Sequence, residues 1–176
     1  MQQSVRARPF QESLATRLLH ARELLMQRFR PHLLRHNLTE QQWRLLRTLS
    51  DQGARSSLEL SQRCVIQPTS VSRILAKLEE DGLIERAEEK RDRRKRTVRL
   101  TEAGKAVIAK VAPENDTIFY RVVDEVGEEL IADVYDALDR LIETLESAES
   151  SHPLLSPPRR SQRERAQRKL LTDDLP

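Results

Sequence analysis

Glycine is scarce: Gly53, Gly82, Gly104 and Gly127 are the only four in 176 residues and stand far apart, so no two can share a phosphate-cradling loop. A single cysteine, Cys64, excludes an intrachain disulfide and any multi-cysteine zinc or iron–sulfur site, and fits a reducing compartment. Aromatics are 3% of the chain, which argues against a sugar-stacking platform or a large aromatic core. The opening MQQSVRARPFQES has no apolar stretch of signal-peptide length, and no later run is long enough to span a bilayer. The four histidines, at 20, 32, 36 and 152, form no metal-ligand spacing with acids or with Cys64; His32 and His36 stand as an isolated i, i+4 pair. No nucleophile–base constellation is present. The expectation is a mainly α, cytoplasmic protein that is not an enzyme and has no cofactor, metal site or membrane partner.

Charge is abundant, at 34% of residues, and unevenly placed. Residues 1–110 carry 23 Lys+Arg against 13 Asp+Glu, whereas residues 111–150 carry 2 against 12. A basic two-thirds joined to an acidic segment fits a polyanionic partner for one end only. Solvated helix faces account for charge equally well unless the cations cluster. Here they do: residues 90–96 hold six cations in seven positions.

Periodicity predicts a first helix over 12–36, which Pro31 should bend or restart. Thr39, with Gln42 three residues on, signals a capped second helix carrying Trp43, Leu46 and Leu49 and ending before Gly53. Ser57 is placed to cap a short helix over 58–64, and Pro68 opens another with Val71, Ile74/Leu75 and Leu78 inward. Gly82 suits a left-handed helix end. Leu83–Arg86 and Arg96–Leu100 then read as two strands around a charged tip, after which Thr101 caps a helix kinked at Pro113. Gly127 separates it from a last amphipathic helix over 130–145. Residues 149–176, with prolines at 153, 157 and 158, read as disordered, with a transient helix at 160–171.

Helix, two short helices with a tight turn, a two-stranded ribbon and long helices make a winged helix-turn-helix with helical extensions. The run Val71-Ser72-Arg73-Ile74-Leu75-Ala76-Lys77-Leu78-Glu79-Glu80-Asp81-Gly82-Leu83-Ile84-Glu85-Arg86 resembles the recognition helix and first wing strand of MarR-type transcriptional regulators. Asp92-x-Arg94 and Leu100-Thr101-x-x-Gly104 are similar to that family's wing signature. Ala21-Arg22-Glu23, Phe29-Arg30-Pro31 and His36-Asn37-Leu38-Thr39-Glu40-Gln41-Gln42-Trp43-Arg44 look like the branch that represses homoprotocatechuate catabolism. The resemblance covers residues 12–146.

It implies a homodimer on a pseudo-palindromic double-stranded DNA operator, with a recognition helix in the major groove and a wing arginine in the minor groove. Gln67, Thr69, Ser70, Ser72, Arg73 and Lys77 are free to face out from the recognition helix, and their side chains pair with base edges or phosphates. Thr69 and Ser70 are equally placed as first-turn caps. Arg91, Asp92, Arg94 and Lys95 form the wing contacts, the family's minor-groove arginine carrying over to Arg94 with Asp92 orienting it. The family's effector pocket would here draw on Arg22, Arg30, His36, Trp43 and Arg47, walled by Ala21 and Phe29; its expected ligand is a small aromatic acid or the CoA thioester of one. Trp43 also reads as plain core, and Cys64 either as a small hydrophobe or as a peroxide sensor.

The organisation expected is a flexible arm (1–11), a dimerisation and ligand-pocket helix (12–38), a winged helix-turn-helix region (39–100), dimerisation helices (101–148) and the tail (149–176). The function expected is ligand-responsive repression of aromatic-compound catabolism genes. An architectural DNA-binding protein without effector, or a helical protein-interaction adaptor, are the alternatives.

Overall fold

The computed structural model describes residues 9–89 and 92–151, with side chains over 9–87 and 97–148. Of the expected arm (1–11) residues 1–8, and of the expected tail (149–176) residues 152–176, lie outside the described residues; the arm's end enters a 3-10 turn and residues 149–151 continue the last helix instead of joining a disordered tail. Phe10–Glu12 forms a 3-10 turn, followed by α1 (Leu14–Arg35), α2 (Glu40–Gln52), β1 (Arg55–Ser56), α3 (Ser57–Arg63) and α4 (Pro68–Glu80). The chain continues with β2 (Ile84–Glu89), β3 (Asp92–Leu100), α5 (Glu102–Val126) and α6 (Glu128–Ser151). It divides into two compact units, Met1–Val122 and Val123–Pro176.

Local chemistry sets most boundaries in the first unit. The Gln42 N–H donates to Thr39 Oγ1 (3.2 Å) and the Thr39 N–H to Gln42 Oε1 (2.8 Å), closing the capping box of α2. A second box starts α3, but its cap is Ser56 rather than the expected Ser57, because Glu59 reaches back to the Ser56 N–H (2.8 Å). These bonds from Ser56 hold the Glu59 carboxyl below its ordinary pKa. Neither internal proline ends its helix: α1 runs through Pro31 and α5 through Pro113. Each loses one backbone hydrogen bond, a defect that tertiary packing outweighs where Phe29, Leu33 and Val111 are buried.

The expected two-stranded ribbon gains a third member. The sheet runs β1-β3-β2, all antiparallel, with Arg55 opposite Val98, and Arg86 opposite Val98 on the other side. Both long strands extend further toward the tip than the alternation of apolar residues indicated, with an irregularity between Glu88 and Glu89. Leu45, Leu46, Leu60, Val71, Leu75, Leu78, Ile84 and Val98 are buried in one core that binds α2, α3, α4 and the sheet together. The recognition-type helix is therefore set by apolar packing on one face and free on the other.

The Leu100-Thr101-x-x-Gly104 pattern has a mechanical reason. Gly82, at φ 69, turns the chain out of α4, and Thr101 Oγ1 donates to its carbonyl at 2.6 Å. The Gly104 N–H donates to the same hydroxyl (3.1 Å), so the start of α5 is pinned on this turn. A Cβ on Gly104 would lie 2.1 Å from the Leu83 carbonyl oxygen, a contact with backbone that cannot swing aside. Gly104→Ala should therefore destabilise the fold by about 1–3 kcal/mol, with the denaturation midpoint as readout; an unchanged midpoint would disprove the close approach.

Candidate nucleic-acid interface and effector cavity

The turn between α3 and α4 is braced from within. Ser61 Oγ donates to the Ile66 carbonyl at 2.6 Å, and Val65 adopts a left-handed φ of 50, a strained value for a β-branched residue. Pro68 stands first in α4, where its missing N–H costs nothing. With Val71, Leu75 and Leu78 inward, Gln67, Thr69, Ser72 and Arg73 are exposed and Ser70 is half-buried. Ser72 Oγ donates back to the Pro68 carbonyl (3.1 Å). Lys77 is exposed but held by acids at the helix's far end: Nζ lies 2.9 Å from Asp81 and 3.2 Å from Glu80. Those two bonds, Asp81's first, raise its pKa above the ordinary lysine value. The free groups thus concentrate in the first turns, where a docked helix meets base edges.

Among the wing residues, the backbone of Asp92, Arg94 and Lys95 runs in β3. Their side chains, and Arg91 altogether, lie outside the described residues. The ribbon's base is fixed to α4 by Arg86 on Glu79 (3.1 Å), and its two strands are tied together by Arg99 on Glu85 (2.8 Å).

A cavity of about 280 Å³ lies among α1, α2 and α5, lined by Arg22, Leu25, Met26, Phe29, Leu33, Glu40, Trp43, Arg44 and Asn115. Of the five residues expected there, Arg22 and Trp43 line it, and Trp43 is at once core and cavity wall. Arg30 stands beside it, bound to Glu23 by two contacts and 3.6 Å from Glu40. The Arg30 hydrogen bond is the main cause that lowers the Glu23 pKa. Two expected residues fall elsewhere. Arg47 pairs with Asp51 (3.2 Å) one turn further along α2, and His36 sits at the end of α1 against His32. Ala21 is likewise not among the lining residues.

Sequence reasoning missed Arg44, Glu40 and Asn115. The Glu40 carboxylate is ringed by Arg22, Arg44 (3.4 Å) and Arg30, so three guanidiniums share it and Glu23. The balance favours an added anion. Two lining residues also carry buried polar atoms without hydrogen-bond partners: Arg44 Nε, a donor, and Asn115 Oδ1, an acceptor. Arg44 Nη1 meanwhile donates to the Cys64 carbonyl (2.9 Å), at the end of α3. Cys64 itself is buried, its Sγ 3.2 Å from Thr48 Oγ1, and packs as a small core residue.

The histidine pair has a neighbour that sequence spacing could not reveal. Glu114 of α5 reaches His32 and His36, its Oε2 standing 3.1 Å from His32 Nδ1. Among the described residues, no helix is long and apolar enough to cross a membrane.

Residues 36–95 match the MarR family. Over 132 residues the chain is 34% identical to the homoprotocatechuate degradative operon repressor of Escherichia coli, a match covering 74% of this chain and 88% of that protein. Among solved structures, the transcriptional regulator PA4135 superposes with a TM-score of 0.72 at 38% identity, covering 77% of this chain and 98% of its own. NadR in complex with 4-hydroxyphenylacetate gives a TM-score of 0.71 at 30% identity, covering 77% and 99%.

Proposed function

The chain belongs to the MarR family of winged helix transcriptional regulators, and on that premise we propose that it is a dimeric repressor whose operator binding is relieved by a hydroxylated aromatic acid. The observation that carries the effector is a largely apolar cavity, two of whose lining residues, Arg44 and Asn115, each keep a buried polar atom (Nε and Oδ1) without a hydrogen-bond partner. A carboxylate accepts from Arg44, a ring packs on Phe29 and Trp43, and a hydroxyl donates to Asn115. Benzene occupies a cavity of about 150 Å³, so about 280 Å³ is room enough for one substituted ring. NadR's complex with 4-hydroxyphenylacetate supports the same ligand class.

Arg44 joins the cavity to the DNA-reading region through the Cys64 carbonyl, just ahead of the turn into α4. A ligand that draws on Arg44 favours an arrangement of α3 and α4 that fits the operator less well. Ten- to hundredfold release needs about 1.4–2.8 kcal/mol of such preference. DNA binding places the protein in the cytoplasm with the chromosome.

Dimerisation is supported by unpartnered apolar surface. On α1, Leu14, Leu18, Leu19 and Leu25 are exposed, and so on α6 are Leu130, Val134, Tyr135, Ile142 and Leu145. A two-fold dimer reads half-sites about 10 base pairs apart. The test is an anisotropy titration of the palindromes near the protein's own gene, with and without 4-hydroxyphenylacetate, homoprotocatechuate and phenylacetate. Sequence-specific binding released by a hydroxylated acid is the expected result. Binding that no acid of the panel weakens would leave an architectural protein, and absence of DNA binding would remove the reading altogether.

Wing and phosphate contacts separate by mutation. Arg94→Ala should cost about 1–3 kcal/mol of operator affinity, mostly where the wing meets A/T-rich sequence. Lys90→Ala should weaken all sequences alike and flatten the salt dependence by about one unit of slope. Equal salt slopes and equal losses on every sequence for both variants would count against a minor-groove arginine.

A further inference from the structure

We propose that His32, His36 and Glu114 form a binding site for a divalent transition-metal ion of zinc-like softness, stapling the end of α1 to the middle of α5. His32 is 1% exposed, and its Nε2 lies 3.1 Å from the Val111 carbonyl oxygen. A carbonyl can only accept, so Nε2 carries the proton, and in the neutral ring Nδ1 is left as a bare lone pair. That Nδ1 is buried and has no hydrogen-bond partner. It nonetheless stands 3.1 Å from Glu114 Oε2, two lone-pair-bearing atoms facing each other without hydrogen-bond geometry.

A metal ion resolves this arrangement. Ligands about 2.0–2.1 Å from a tetrahedral ion lie a little over 3 Å from one another, close to the separation of His32 Nδ1 and Glu114 Oε2. The imidazole of His36 completes the set: its ring centroid is 5.0 Å from that of His32, and one donor atom from each of the three residues falls within 4.8 Å of the others. The Val111 carbonyl fixes the His32 tautomer in the manner of an outer-shell partner. Two histidines and a carboxylate with an open fourth position suit Zn(II). Arg35, which is exposed, holds the other carboxylate oxygen of Glu114, Oε1.

The site is distinct from the effector cavity and borders it: Leu33 and Asn115, the chain neighbours of His32 and Glu114, line that cavity. The proposal does not depend on the effector reading, because its test measures metal alone. Chelator-treated full-length protein is titrated with zinc against a chromophoric competitor, alongside His36→Ala and Glu114→Gln, each checked for its fold by circular dichroism. Both variants leave the buried His32 in place. Expected are one ion per chain, and affinity lowered in each variant by more than the about 10- to 100-fold that outer-shell changes cost. Zinc should also raise the thermal midpoint of the parent and not of the variants. Absence of micromolar zinc binding would overturn the site. Equal binding by the parent and both variants would overturn it as well, placing the ion on other ligands.

Discussion

Leu18→Glu combined with Ile142→Glu is expected to give a folded monomer that has lost most of its operator affinity. Both side chains are partly open to solvent, at 39% and 49% exposure, so the substitutions leave the winged core untouched. A buried carboxylate without a partner costs several kcal/mol, and a two-fold interface meets each substitution twice. Specific complexes exceed non-specific ones by about 4–10 kcal/mol, and a monomer on one half-site keeps about half of that. The loss is then about 2–5 kcal/mol, or roughly 30- to 5000-fold in dissociation constant. Sedimentation at micromolar concentration and an operator titration check the two halves separately. A variant that stays dimeric would clear these faces of the interface. A monomer that binds the full operator as tightly as the parent would refute the dimeric reading of the palindrome.

What could be read directly from the sequence is what neighbouring residues decide. The α2 capping box, Pro68 at a first helical position and the turn at Gly82 depend on residues within four positions of one another, and each stands where its chemistry indicates. β1 escaped notice because two residues, Arg55 and Ser56, have no periodicity, and their partners Val98 and Thr97 lie some forty positions away. Ser56 and Ser57 are equivalent caps on paper until Glu59 chooses between them.

The cavity shows the same boundary between local and distant information. Arg47 lies one helical turn from Trp43 and shares its face, which made it one candidate for the cavity, but Asp51 lies one turn further and takes it. Arg44 enters the cavity only because α1 and α5 pack against that side of α2. Glu114 stands beside a proline that locally argues for a bend, while its partner Arg35 on α1 is 79 positions away. No spacing rule spans that distance. Both prolines stand inside continuous helices for a related reason: helix propensity is a local quantity, and burial of Leu33 and Val111 is not.

Arg44→Gln and Asn115→Leu should separate the two ends of the effector. Glutamine preserves much of the side chain's length and polarity but removes the charge that a desolvated carboxylate needs. Truncating one partner of a buried, hydrogen-bonded charge pair costs about 2–5 kcal/mol, so 4-hydroxyphenylacetate affinity should fall by about 30-fold or more. Arg44 also holds the Cys64 carbonyl, so this variant's own operator affinity is measured first, and release is expressed relative to it. Asn115→Leu leaves that link intact and removes only the acceptor for the hydroxyl. One neutral hydrogen bond is worth about 1 kcal/mol, so this variant should lose about fivefold in its preference for 4-hydroxyphenylacetate over phenylacetate, while phenylacetate binds about as before. Calorimetry against both acids, with operator release in parallel, reads each effect. If both acids weaken equally in Asn115→Leu, the hydroxyl points elsewhere. If Arg44→Gln keeps the parent's affinity for 4-hydroxyphenylacetate, the carboxylate rests on Arg22 or outside this cavity, and the path from ligand to α4 through Cys64 is broken with it.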